Sequence, residues 1–142
     1  WTLRRRGWQV TVLDAADEPG GLLRHGIPPF RLPRAVLDAE LRRLREIGVE
    51  FRCGVRLGQD VTLAALEAEY DAVVLAVGHG ASRALRLEGA AAVKEGIVSG
   101  LEFLRRYNAG AAPAVGRRVA VVGGGNTAID CARAAVRLGA EA

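Results

Sequence analysis

The chain has 142 residues, half of them apolar and a quarter charged, which suits a soluble globular protein with a buried core and excludes a disordered segment. Its net charge is +4, yet no apolar run approaches the ~18 residues that a membrane span requires. The cationic residues are nearly all Arg, Lys94 being the exception. The cluster Arg42, Arg43 and Arg45 alternates with Glu40 and Glu46 as on a solvated helix face, so nucleic acid is not an expected partner. The opening WTLRRRGW has neither an initiator Met nor the apolar core of a signal peptide, and it reads as the start of a piece of a longer cytoplasmic protein. Cys53 and Cys131 are far apart, with no CxxC pair. They fit two small buried thiols in a reducing cytosol better than a disulfide, zinc or dithiol site.

In chain order, Trp1 to Gly7 reads as a helix end closed by Gly7, and Trp8 to Leu13 (WQVTVL) as a strand followed at once by Asp14. The next stretch, AADEPGGLLRHGIPPFRLP, holds four of the five prolines and reads as a long functional loop. From Arg34 to Ile47 the pattern is helical: Leu37, Leu41 and Leu44 fall on one face and Gly48 ends the run. Val49 to Arg52 gives a short strand. Thr62 to Glu69 gives a short helix, with Asp60 as its candidate N-cap. DAVVLAV, residues 71 to 77, has the continuous apolar character of a strand buried on both faces. Residues 79 to 97 read as irregular, Val98 to Tyr107 as a helix with Leu101, Phe103 and Leu104 inward, and Val119 to Val122 as a strand. The alternation specifies an α/β fold with a mostly parallel sheet. The small-residue stretch at 108–116 marks the best boundary between two related halves.

The sharpest motif is VAVVGGGNTAID, residues 119 to 130. Gly123, Gly125 and Ala128 form G-x-G-x-x-A between a strand pattern and a helix pattern. Gly123 permits the tight turn, Gly125 lets backbone approach a pyrophosphate, and Ala128 lets helix pack on strand. The N–H groups of Asn126, Thr127 and Ala128 then face the phosphates, aided by the helix dipole. The bland reading is a tight turn capped by Asn126 and Thr127. The residue that would separate NAD from NADP falls about twenty positions further on. At the other end, a helix end, a strand and Asp14 match the closing part of a second such unit. Asp14 is then either a turn residue or the acid that holds a ribose. In the second case a glycine turn is expected before Trp1.

GGLLRHGIPPFRLP (20 to 33), YDAVVLAVG (70 to 78) and VAVVGGGNTAIDCARAA (119 to 135) together resemble the small (β) subunit of glutamate synthase and its relatives, including the flavin domains of dihydropyrimidine dehydrogenase. The resemblance runs over essentially the whole chain. It implies an FAD-containing NAD(P)H oxidoreductase built from two Rossmann-like dinucleotide-binding domains. Residues 1–108 would be the later part of the FAD domain, 109–117 a linker, and 118–142 the start of the NAD(P) domain. It implies that Asp14 binds the FAD ribose, and that Gly20, Gly21 and Leu22 pass the FAD pyrophosphate and ribityl chain. Arg31 would contact the cofactor, as an arginine suits a diphosphate, unless it is an ordinary surface arginine. Leu57 matches a position that brings backbone against the adenine. Gly125, Asn126, Thr127 and Ala128 would bind the NAD(P)H pyrophosphate.

Asp130 would either approach the nicotinamide amide or supply favourable charge in a helix first turn. His25 would be a packed or solvated imidazole, or lie near the flavin. Gly78 is followed by His79 where the family usually reads Ala-Thr-Gly, a departure at that FAD contact. The resemblance also implies iron–sulfur clusters and a larger redox partner subunit or fused domain, with the cluster cysteines outside this chain. The isolated piece is expected to bind FAD poorly and to be inactive. The rival readings are another pyridine nucleotide-dependent flavoprotein reductase, such as a disulfide or ferredoxin reductase, and a non-catalytic nucleotide-binding module. The missing CxxC speaks against a disulfide reductase, and the GIP-x-FRLP block against both reductases.

Overall fold

The computed structural model describes residues 1–78, 93, 96–111 and 114–141. In chain order the elements are α1 (Thr2–Arg5), β1 (Val10–Asp14), α2 (Gly21–His25), α3 (Arg34–Glu46), β2 (Val49–Cys53), α4 (Leu63–Glu69), α5 (Gly100–Asn108) and α6 (Asn126–Arg137). They fall into two compact units, one made of Trp1–Gly21 with Arg34–Gly78, the other of Leu22–Pro33 with His79–Ala142.

The first unit is built on a parallel pair. Val10 lies opposite Val49 and Asp14 opposite Cys53, so the chain must cross over between the strands. Helix α3 lies on that crossover and buries Leu37 and Leu41, as their four-residue spacing requires. Gly48 turns the chain from α3 into β2 with φ +90°. Arg4 secures this corner: its Nε donates to the Ile47 carbonyl (2.7 Å) and its Nη1 to the Trp8 carbonyl (3.1 Å). A Cβ at Gly48 would lie 2.7 Å from the Arg4 guanidinium. On the exposed side, Arg52 bonds Glu50 (2.9 Å) and reaches Glu69 of α4 (3.5 Å). Its hydrogen bond and charge hold the Glu50 carboxyl below its ordinary value, but pairs this exposed add little stability.

The second unit is organised by α5 and α6. Ser99 caps α5 by accepting from the Glu102 N–H (3.3 Å), and Glu102 pairs with Arg106 one turn on (2.8 Å). Phe103 and Leu104 pack with Cys131, Ala134, Ala135 and Ala140 in a buried cluster. The small residues of α6 permit a close approach: a Cβ at Gly100 would sit 3.1 Å from the Cys131 Sγ. That thiol donates to the Gly100 carbonyl (3.4 Å). Burial, and next the charge of Asp130, push its pKa up to about 11.

Four expectations change. Thr62, not Asp60, caps α4, accepting from the Ala65 N–H (3.1 Å). Asp60 instead turns back to accept from the Arg56 N–H (2.8 Å), because two residues of separation place it in the preceding turn. Residues 71–77 form no strand, and Val74, Leu75 and Val77 are exposed. Val119 to Val122 likewise forms none. A strand exists only through its ladder partners, and among the described residues neither run has one; the only named ladder joins β1 to β2. The loop at 20–33 contains one short helix, α2. Most of the expected irregular segment 79–97, with His79, lies outside the described residues.

Gly48→Ala is expected to cost about 1–2 kcal/mol, the strain of a left-handed residue bearing a Cβ, seen as a lower urea midpoint of the intact protein. The Cys131 thiol, protonated up to about pH 11, should stay unmodified by iodoacetamide at pH 8.5 and react only after unfolding. Peptide mass spectrometry with and without urea checks this.

Candidate functional site

The predicted site residues separate cleanly between the two units. Asp14, Gly20, Gly21, Leu57 and Gly78 belong to the first, while Leu22, Arg31, Gly123, Gly125, Asn126, Thr127, Ala128 and Asp130 belong to the second.

In the first unit Asp14 ends β1, at the carboxyl end of a parallel strand, where α/β sheets bind their ligands. Its Oδ1 accepts from the Ala16 N–H (3.0 Å), so one oxygen shapes the turn. An ionised carboxylate has further lone pairs for a hydroxyl donor. The turn is held from the β2 side, where the Gly54 N–H donates to the Ala16 carbonyl (2.9 Å) and the Val55 N–H to that of Asp14 (3.0 Å). Gly20 and Gly21 both adopt positive φ, +130° and +51°, and a Cβ at Gly21 would meet nothing within 4 Å. That open, glycine-only backbone suits a close approach by a phosphate-bearing ligand. Leu57 makes an isolated bridge to Val61, and Gly78 turns with φ +69°.

In the second unit the glycine turn opens directly into α6, with Gly125 as its N-cap. Gly123 has φ +135°. A Cβ there would press on the Ala128 Cβ at 3.3 Å, so a glycine at 123 and a small residue at 128 are steric demands of this turn. Gly124 and Gly125 differ: a Cβ on either would meet nothing within 4 Å, so the fold itself has no steric need of them. No side chain caps the helix. An uncapped N-terminus behind bare backbone fits an anion such as a pyrophosphate.

Arg31 and Asp130 meet each other. The Arg31 Nη1 donates to the Asp130 Oδ2 at 2.8 Å, the side chains being 36% and 4% exposed. The other oxygen, Oδ1, is buried with no hydrogen-bond partner among the described residues. Next to Arg31, Phe30 packs edge-on to Tyr107, with centroids 6.3 Å apart. The guanidinium carbons of Arg133 and Arg137 stand 4.6 and 4.1 Å from its centroid, within cation–π range. Asn108 of α5 donates to the His25 carbonyl (2.8 Å). The His25 Nε2 is buried without a hydrogen-bond partner among the described residues. Gly26 is confined as well: a Cβ there would lie 3.0 Å from the Leu22 carbonyl oxygen and 3.4 Å from Leu101.

The sequence named Arg31 and Asp130 separately and missed their pairing, along with the seat of Phe30. Spacing does show that Asp130, Arg133 and Arg137 share a face of α6; nothing local says which segment covers that face. Among the described residues, no group of three His, Cys, Asp or Glu side chains could hold a metal ion, and no helix is long and apolar enough to cross a membrane.

Over 142 residues, 99% of its length, this chain is 43% identical to the NADP(+)-dependent formate dehydrogenase subunit beta of Moorella thermoacetica, covering 20% of that protein. It is 39% identical to a putative glutamate synthase [NADPH] small chain of Cereibacter sphaeroides, over 97% of this chain and 35% of the relative. It is 41% identical to the NAD-dependent dihydropyrimidine dehydrogenase subunit PreT of Salmonella typhimurium, over 92% of this chain and 31% of the relative. The chain thus spans between a fifth and about a third of the length of these relatives. Residues 1–142 match the pyridine nucleotide-disulphide oxidoreductase family throughout, and the chain belongs to that family.

Proposed function

We propose that the intact protein is an FAD-dependent NAD(P)H oxidoreductase in which α6 receives the reduced nicotinamide nucleotide. The observation that carries this is the uncapped N-terminus of α6 behind Gly124 and Gly125, where the backbone stands open. Helix N-termini of this kind bind pyrophosphate through backbone N–H groups. In this reading Asn126, Thr127 and Ala128 supply those donors, and Asp130 stands one turn further along, its carboxylate buried against Arg31 rather than open to the nucleotide. Residues 118–142 begin the NAD(P) domain, 109–117 are a linker, and residues 1–108 belong to the FAD domain.

On the FAD side, Asp14 holds the adenosine ribose through the oxygen that the turn leaves available. Gly20, Gly21 and Leu22 present backbone to the diphosphate and ribityl chain, Leu57 lies against the adenine, and Gly78 borders the same ligand. Arg31 has N–H groups beyond the one given to Asp130, and these would be the donors to the cofactor diphosphate. When bound, FAD supplies the hydride-accepting and electron-transfer chemistry. The protein residues bind, orient and shield. The formate dehydrogenase and dihydropyrimidine dehydrogenase relatives are named as subunits. That supports onward transfer of electrons to iron–sulfur clusters or to a partner subunit.

Purified intact protein is expected to be yellow and to bleach when NADPH or NADH is added without oxygen. A colourless protein that binds nucleotide with no redox change would instead identify a non-catalytic nucleotide-binding module. Gly125→Val separates binding from folding. Gly125 has φ −80°, which any L residue adopts, and its Cβ meets no protein atom. The variant should therefore fold and keep its flavin while losing at least about tenfold in nucleotide affinity, or 1.4 kcal/mol. An unchanged Kd by fluorescence titration would contradict the assignment of this turn.

A further inference from the structure

We infer that Asp130 is a positioning residue that fastens the segment 22–33 to α6, so that a nucleotide bound at the glycine turn is felt in that segment. Four observations meet on this point. The Asp130 carboxylate is almost wholly buried, and its ion-pair partner among the described residues, Arg31, lies 99 positions away in sequence. A carboxylate buried to this degree is stable only beside a compensating donor, so Arg31 is held by necessity. Phe30 sits beside it under Arg133 and Arg137, which follow Asp130 at three and seven positions and extend the same helix face. The other end of the segment is fixed by the bond from Asn108 to the His25 carbonyl, and its middle by Pro28, one of the most completely buried side chains.

Asp130 also lies only four residues beyond the first residue of α6, where the proposed pyrophosphate donors stand. A helix turn is stiff on this scale. Whatever fixes residues 126–128 therefore fixes the carboxylate one turn away, and with it the guanidinium of Arg31. Arg133 and Arg137 carry the attachment along the same face, so the segment is held at its charge and at its ring together. Removing the charge at Asp130 leaves the aromatic seat in place, which isolates the ion pair as the element under test. The role of the turn as a nucleotide site rests on the function proposed above, whereas the fastening of the segment does not.

Hydrogen exchange of the intact protein, read by mass spectrometry, tests both parts. Without nucleotide, Asp130→Asn and Arg31→Gln should each speed exchange in residues 22–33 by about tenfold, while Arg31→Lys, which keeps a cation for Asp130, stays near wild type. With millimolar NADP+ or, separately, NAD+, wild type should gain protection both at residues 123–130 and at 22–33. Asp130→Asn should gain it at 123–130 alone. Unchanged exchange at 22–33 in Asp130→Asn and Arg31→Gln would overturn the fastening role. So would equal loss in Arg31→Lys and Arg31→Gln, which would mark a packing role instead. Should Asp130→Asn fail to fold, the comparison of Arg31→Lys with Arg31→Gln decides the question. Protection at 123–130 without protection at 22–33 in wild type would overturn the coupling. No protection at 123–130 with either nucleotide would overturn the function proposed for the turn and leave the fastening to the ligand-free comparison.

Discussion

A buried carboxylate must have a cation or several donors beside it, and in the second unit that demand falls on Asp130. Removing the partner of such a group costs about 3–5 kcal/mol, because the remaining charge is left uncompensated. Here the partner is Arg31, reached across 99 residues of chain. One electrostatic requirement thus fixes where the GIPPFRLP segment runs. The aromatic seat of Phe30, the buried Pro28 and the Asn108 bond then follow along the same course.

Helix α6 serves three purposes with three sets of residues. Its N-terminal backbone is left uncapped and open, which is what an anion needs. Cys131, Ala134 and Ala135 are small and buried against Phe103 and Leu104, which lets α5 approach until Gly100 touches the thiol. Asp130, Arg133 and Arg137 hold residues 30 and 31. The three sets do not overlap, so a short sequence, NTAIDCARAAVR, carries an open N-terminus, core packing and loop attachment at once. The raised pKa of Cys131 follows from the same economy of space: burial, and next the neighbouring Asp130 charge, keep the thiol neutral.

Much of this was legible in the sequence, because local physics decided it. Period-four leucines placed α3, the glycines at 7, 48 and 123 marked turns that require positive φ, and the G-x-G-x-x-A spacing located the start of α6. The cap of α4 lies two residues beyond the one the sequence suggests, since Asp and Thr are both good caps and only backbone geometry chooses between them. The composition of the apolar runs at 71–77 and 119–122 predicts strands. Strand formation depends on a partner that composition does not supply, and Val74, Val77 and Val122 are left exposed. The pairing of Arg31 with Asp130 was illegible for a different reason. Each residue is compatible with many roles, and only the tertiary fold selects one.

The most direct test of this account is a double-mutant cycle through Arg31→Gln and Asp130→Asn, read as the urea unfolding free energy of the intact protein. Groups in contact show coupling, while distant groups add. The account predicts that the double variant loses little more stability than the worse single variant, a coupling of about 1–3 kcal/mol. Losses that simply add would contradict it, and would mean that the two residues contribute to the fold independently.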